Sequence, residues 1–123
     1  MKLKLIFTAI AALLIAGTAG AQERNAKRWE TSKIRIENMA RFVKMDEATT
    51  EKATQAMYDY IGAQAATNKQ KSTMSPEDFK AANSQDYQTM RTSIMSMLNK
   101  EQQSGYKKWL ALPPAERYKK ISE

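Results

Sequence analysis

The chain has 123 residues, with 20 Lys+Arg against 13 Asp+Glu, a formal charge of +7, and neither His nor Cys. This length allows one domain with one modest core. Without Cys there is no disulfide, thiolate nucleophile, zinc knuckle or lipid-anchoring cysteine, and without His the commonest metal ligand and neutral-pH base are missing.

Lys2 and Lys4 make a positive start, Leu5 to Ile15 is apolar except for Thr8, and Ala16 to Ala21 holds only small residues. Ala19-Gly20-Ala21 fits an A-x-A cleavage site. The apolar run is about half of the roughly 20 residues that a membrane span needs. Residues 1–21 therefore read as a secretory signal cleaved between Ala21 and Gln22. What remains, 22–123, is expected to be a single helical domain with no stable membrane span. The expected destination is the periplasm or the outside, with a permanent N-terminal anchor as the competing reading. Loss of Lys2 and Lys4 takes two from the formal charge but leaves the chain basic.

The rest reads as helix. Pro occurs only at 76, 113 and 114, and after residue 21 Gly occurs only at 62 and 105. Ala, Lys, Glu, Gln and Met dominate, and no alternating β-branched run appears. The first helix is expected over roughly 24–44, with Trp29, Ile36, Met39, Ala40 and Val43 on one stripe and Phe42 at its edge. The second follows Asp46, a good N-cap, with Glu47 in its first turn and the stripe Ala53, Ala56, Met57, Tyr60, Ile61. It fades near 67–71.

Ser75-Pro76-Glu77-Asp78 is a strong helix start: a capping serine, a proline at the first helical position, and acids in the first turn. The third helix runs to about Leu98, with Tyr87, Met90, Ile94, Met97 and Leu98 on one face. Asn99 can cap a fourth, with Tyr106, Trp109 and Leu110, which Pro113-Pro114 stops. Pro114-Ala-Glu-Arg can open a last short turn ending near Ile121. The expected fold is all-α: four to five amphipathic helices arranged as two hairpins.

The junctions at Met45-Asp46-Glu47-Ala48-Thr49 and Leu98-Asn99-Lys100-Glu101-Gln102 are punctuated alike. In each, a helix ends, a capping residue follows and a new helix begins. Leu98-Asn99-Lys100-Glu101-Gln102, followed by Gln103, Tyr106, Lys107 and Trp109, resembles the LTxxQ motif of the Spy/CpxP family of periplasmic proteins. Asn99 stands where that motif has Thr, and can cap in the same way. The first junction departs further: Met45 for Leu, Asp46 for Thr, Thr49 for Gln. The resemblance covers about ten residues in motif and the whole of 22–123 in architecture. It implies an ATP-independent chaperone or envelope-stress accessory, working as an elongated, cradle-shaped homodimer of antiparallel helices.

Two surface features support a binding role. Seven methionines follow residue 21 (39, 45, 57, 74, 90, 95 and 97), and Met-lined surfaces adapt to many partners. Met57, Met90 and Met97 are expected in the core, Met74 and Met95 outside it. Arg24, Lys27, Arg28, Lys33, Arg35, Arg41 and Lys44 gather in the first helix, where Glu23, Glu30 and Glu37 interleave. A solvated helix face is one reading of this group. The other is a surface for unfolded or acidic protein segments, with candidate contacts Arg28, Trp29, Arg35, Met39, Arg41 and Phe42.

Nucleic acid is not an expected partner, given the export signal and the even scatter of Lys and Arg. Catalysis has little to stand on: Glu47/Glu51 reads as an exposed face and Glu77/Asp78 as dipole compensation. No cofactor or metal is expected, and no EF-hand spacing is present. The reading is an exported chaperone or stress accessory. Its alternative is a non-catalytic structural or regulatory envelope protein that binds one specific partner.

Overall fold

The computed structural model describes residues 24–121, all helix and connecting turn, with no strand among them. The cleavage site at Ala21–Gln22 lies outside the described residues. Five α-helices follow in order: α1 (Ala26–Met39), α2 (Glu47–Lys69), α3 (Pro76–Ser96), α4 (Lys100–Leu110) and α5 (Pro114–Arg117). A 3-10 turn over Lys71–Thr73 joins α2 to α3. No helix among the described residues is long and apolar enough to cross a membrane.

Each longer helix begins on a side-chain cap. Asn25 accepts from the Arg28 amide at 2.8 Å, Asp46 from Thr49 at 2.7 Å, Ser75 from Asp78 at 3.1 Å and Asn99 from Gln102 at 2.8 Å. These bonds take up amide donors that the first turn leaves unpaired. The first helix is shorter than its apolar pattern suggests. Beyond Met39 the chain tightens: Arg41 and Phe42 amides donate to Asn38 and Met39 carbonyls three residues back, at 3.2 and 2.9 Å. Ala40, at the end of the helix, is exposed and so leaves the stripe it was expected to join.

The helix α2 packs along α1 on one side and α3 on the other. Trp29 meets Tyr58, and Tyr60 meets Tyr87, both edge-on. The short α4 folds back beside α3, where Tyr106 Oη lies 3.5 Å from Met90 Sδ and Gln103 Nε2 donates to Met95 and Leu98 carbonyls. This return covers part of Met95, which had been expected outside the core; Met74 is likewise half-buried. The core comprises Ile36, Met39, Val43, Ala53, Met57, Tyr60, Met90, Ile94, Leu98, Tyr106 and Trp109. Met97 packs against its edge. From Ile61 to Thr89 no side chain is fully buried. The fold is thus a packed four-helix end from which the α2–α3 hairpin continues as an arm.

Candidate functional site

The two junctions lie together in space. Gln102 Oε1 accepts from the Asn99 backbone amide at 2.9 Å, completing a reciprocal capping box, and its Nε2 donates to the Lys44 carbonyl beside the first junction. At the Asp46 junction the Thr49 amide donates to the Asp46 carboxylate, and the reciprocal bond of a capping box is not formed. A Cβ on Gly105 would stand 2.0 Å from the Phe42 carbonyl oxygen, so α4 lies against the turn after α1 at a distance only glycine permits. Leu98 is buried and Met45 half-buried against the core. The motif residues are therefore structural here: they cap helices and join one hairpin to the other. The Asp46 carboxyl is held below its ordinary range, chiefly by the Thr49 backbone amide.

Asn38 is the polar centre of the packed end. Its side chain is fully buried and fully used. Its Oδ1 accepts from Trp109 Nε1 at 2.8 Å and from Arg41 Nη2 at 2.6 Å. Its Nδ2 donates to the Glu116 and Lys119 carbonyls, both at 2.9 Å. One amide thus ties α1 to α4 and to the C-terminal segment. The sequence pattern passed over Asn38; the signal was a lone amide set between Ile36 and Met39 on a core stripe.

The candidate contacts on the first helix do not form one face. Met39 is fully buried and is a core residue rather than a surface contact, because its position on the α1 stripe turns it toward the packed end. Phe42 is half-buried against the core, with the Arg41 guanidinium 5.2 Å from its ring centre. Arg41 itself is held by Asn38 and the Glu116 carbonyl. Arg35 points inward over Tyr118, at 4.0 Å from the ring centre. Only Arg28 and Trp29 stay together in a partly open setting.

At that N-terminal end of α1 a compact cluster forms. The Arg24 guanidinium lies 3.6 Å over the Trp29 ring and donates to Gln55 Oε1 at 2.9 Å. Trp29 meets Tyr58 edge-on at 5.8 Å, and the Arg28 guanidinium sits 5.3 Å from the centre of Tyr58. Tyr58 Oη accepts from the Asn25 amide at 2.8 Å, which fixes its ring. All four side chains are half-buried. Ion pairs among the described residues are Lys33–Glu30 and Lys119–Glu116, so no described carboxylate neutralises Arg24 or Arg28. Tyr58 was missing from the sequence reading because it lies one residue off the Met57 stripe. Beside the cluster, Trp29 and Ile36 floor a groove of about 260 Å³ between α1 and α2, with Lys33 and three glutamates around it.

A second groove, of about 250 Å³, runs between α2 and α3, with Asp59 and Asp86 among its lining residues. No group of three or more His, Cys, Asp or Glu gathers among the described residues in a way that could hold a metal ion. The chain matches no known family model, no curated protein and no solved structure.

Proposed function

We propose that this is an exported helical binding protein of the Spy/CpxP kind, a non-catalytic chaperone or envelope-stress accessory that captures unfolded or acidic protein segments without ATP. The observation that carries the reading is the Arg24–Trp29–Tyr58–Arg28 cluster. Two guanidiniums stack on two half-open aromatic rings without a described carboxylate to quench them. Such a surface attracts negative segments from a distance and then offers flat apolar area to hold them loosely. The sequence supplies the other supports: an export signal and a capped junction resembling the LTxxQ motif, at Leu98, Asn99 and Gln102.

The test is suppression of aggregation with two unrelated unfolded clients, at low and high salt. Suppression of both should occur without nucleotide and weaken with salt, since exposed charges are screened beyond about 8 Å at physiological ionic strength. Arg24→Gln with Arg28→Gln should slow association, and Trp29→Ala should shorten the lifetime of the complex. Folding is checked by helicity in each variant. Failure to act on either client would remove the chaperone reading and leave a protein with one specific partner.

A further inference from the structure

Arg35 sits about one turn before the end of α1, half-buried, and no described carboxylate meets it. Its guanidinium lies 4.0 Å from the centre of the Tyr118 ring, and the hydrogen-bond acceptor it finds among the described residues is the Met57 thioether, 3.8 Å from Nη1. A guanidinium carries five donors, and thioether sulfur is a weak acceptor. Arg117 addresses the same ring: its Cζ is 5.1 Å from the ring centre, and Nη1 donates to Tyr118 Oη at 3.4 Å. Its Nε goes to the Leu112 carbonyl at 3.3 Å, and no described carboxylate pairs with it either.

Two like charges therefore share a corner walled by phenol rings. Burial, and then the Arg117 charge, push the Arg35 pKa down, while the groups that pull it up are the phenols of Tyr118 and Tyr60. Those phenols are neutral at pH 7, since an ordinary tyrosine titrates near about 10, and burial pushes Tyr60 up to about 12. They cannot stand in for a counter-charge. Arg35 is half-buried, and the donors that no protein acceptor fills reach water, where an anion can meet them.

We propose that Arg35 and Arg117 form a binding site for a carboxylate carried on an aromatic or other apolar body. The guanidinium forks would take the carboxylate oxygens, and the body would lie against the half-buried ring of Tyr118. A guanidinium fork also fits phosphate. The walls favour the carboxylate, because an aromatic body gains from contact with phenol rings and a hydrated phosphate does not. The site would take such an anion whether or not the N-terminal end of α1 captures unfolded chains, because Arg24, Arg28, Trp29 and Tyr58 play no part in it.

Benzoate is the probe, titrated into the full folded chain by calorimetry and by tyrosine NMR shifts. It should bind at one site with a Kd on the order of 1 mM or tighter. Arg35→Gln and Arg117→Gln should each weaken binding by about tenfold or more, as should replacement of benzoate by inorganic phosphate. Benzoate should also raise the Tm of the unaltered protein and leave that of Arg35→Gln unmoved. Helicity is checked first, and Arg117→Gln, in the C-terminal segment, carries the test if Arg35→Gln loses its fold. Lack of saturation below about 10 mM, equal affinity in the unaltered protein and both variants, or phosphate matching benzoate would overturn the assignment.

Discussion

The α2–α3 hairpin passes through two different environments. At one end it meets α1, α4 and the C-terminal segment, and every fully buried side chain among the described residues lies there. At the other end, from Ile61 to Thr89, no side chain is fully buried: beyond the base, where Arg28 approaches Gly62 and Tyr87 meets Tyr60, the two helices meet through partly buried side chains and a Thr67–Asp86 hydrogen bond at 2.8 Å. Both ends are good helix by composition. Helix propensity alone is weak, and most helical stability comes from packing an apolar face. The contrast therefore predicts a rigid end that fixes the fold and an arm that opens more readily, and it can be attacked from either side.

The largest effect should come from Trp109. Its ring is fully buried, stacks on Tyr106 at 6.0 Å between centroids, and meets Tyr118 edge-on at 6.1 Å. Trp109→Ala should cost about 3–5 kcal/mol in denaturant unfolding, a large part of the roughly 5–15 kcal/mol typical of a domain. A loss below about 1 kcal/mol would show that the four-helix end is not what holds the molecule.

Next comes an alkaline limit set at the boundary between the regions. Tyr60 is pushed up to about 12, chiefly by burial, so the folded state prefers the neutral phenol. Its contribution is complete below the unfolded value near 10 and is lost as pH rises from there toward 12. At about 1.4 kcal/mol per unit this amounts to roughly 2–3 kcal/mol. Unfolding followed from pH 9 to 12 should show that loss together with one from buried Tyr106, whose phenol is pushed up further still, so Tyr60→Phe should lessen the slope without abolishing it. An unchanged slope in Tyr60→Phe would place the alkaline limit in another group.

Gly105 tests the close approach of α4 to the turn after α1. A methyl group there meets the Phe42 backbone oxygen, which cannot rotate away as a side chain could. Gly105→Ala normally favours a helix by up to about 1 kcal/mol. Here it should destabilise by about 1–3 kcal/mol through overpacking. Stabilisation would mean that the contact between the hairpins is loose.

These residues also mark what was legible beforehand. Asp46, Ser75 and Asn99 were readable as caps because capping is local: the side chain bonds an amide three residues on. The stripes of α2 and α3 were readable because the 3.6-residue period is local too. Asn38, Gly105 and the inward turn of Arg35 were not, since their partners lie far along the chain, at Glu116, Phe42 and Tyr118. For the same reason the basic residues of α1 looked like one surface. In the structure Arg28 remains half-open beside Tyr58, Arg35 faces a tyrosine corner, and Arg41 is bound to Asn38.

The junction caps come next in size. Asn99→Ala breaks the capping box and should cost about 0.5–2 kcal/mol. Asp46 adds a pH signature. Its carboxyl is held below the ordinary range by the Thr49 amide, so its contribution is present above the unfolded value near 4 and is lost as pH falls. Asp46→Asn keeps a capping side chain without the charge and should flatten the acid limb of stability against pH. If Asn99→Ala leaves stability untouched but abolishes client binding, the motif is a contact surface rather than a cap.

The smallest effects belong to the arm, where the contrast is most easily overturned. Phe79 is half-buried, lies near the hairpin tip beside Lys71 at 5.3 Å, and stands outside the core cluster. Phe79→Ala should therefore cost under about 1 kcal/mol globally, like other substitutions away from buried features. Its effect should appear locally instead. Amide hydrogen exchange should be faster from Gly62 to Thr89 than around Ile36, Met57 and Ile94, because opening the arm exposes little buried apolar surface. Phe79→Ala should speed exchange in the arm and leave the core amides unchanged. If it slowed folding or sped exchange at Ile94 as much as at Ala82, arm and core would open as one unit, and the division of the hairpin into two environments would have no energetic meaning.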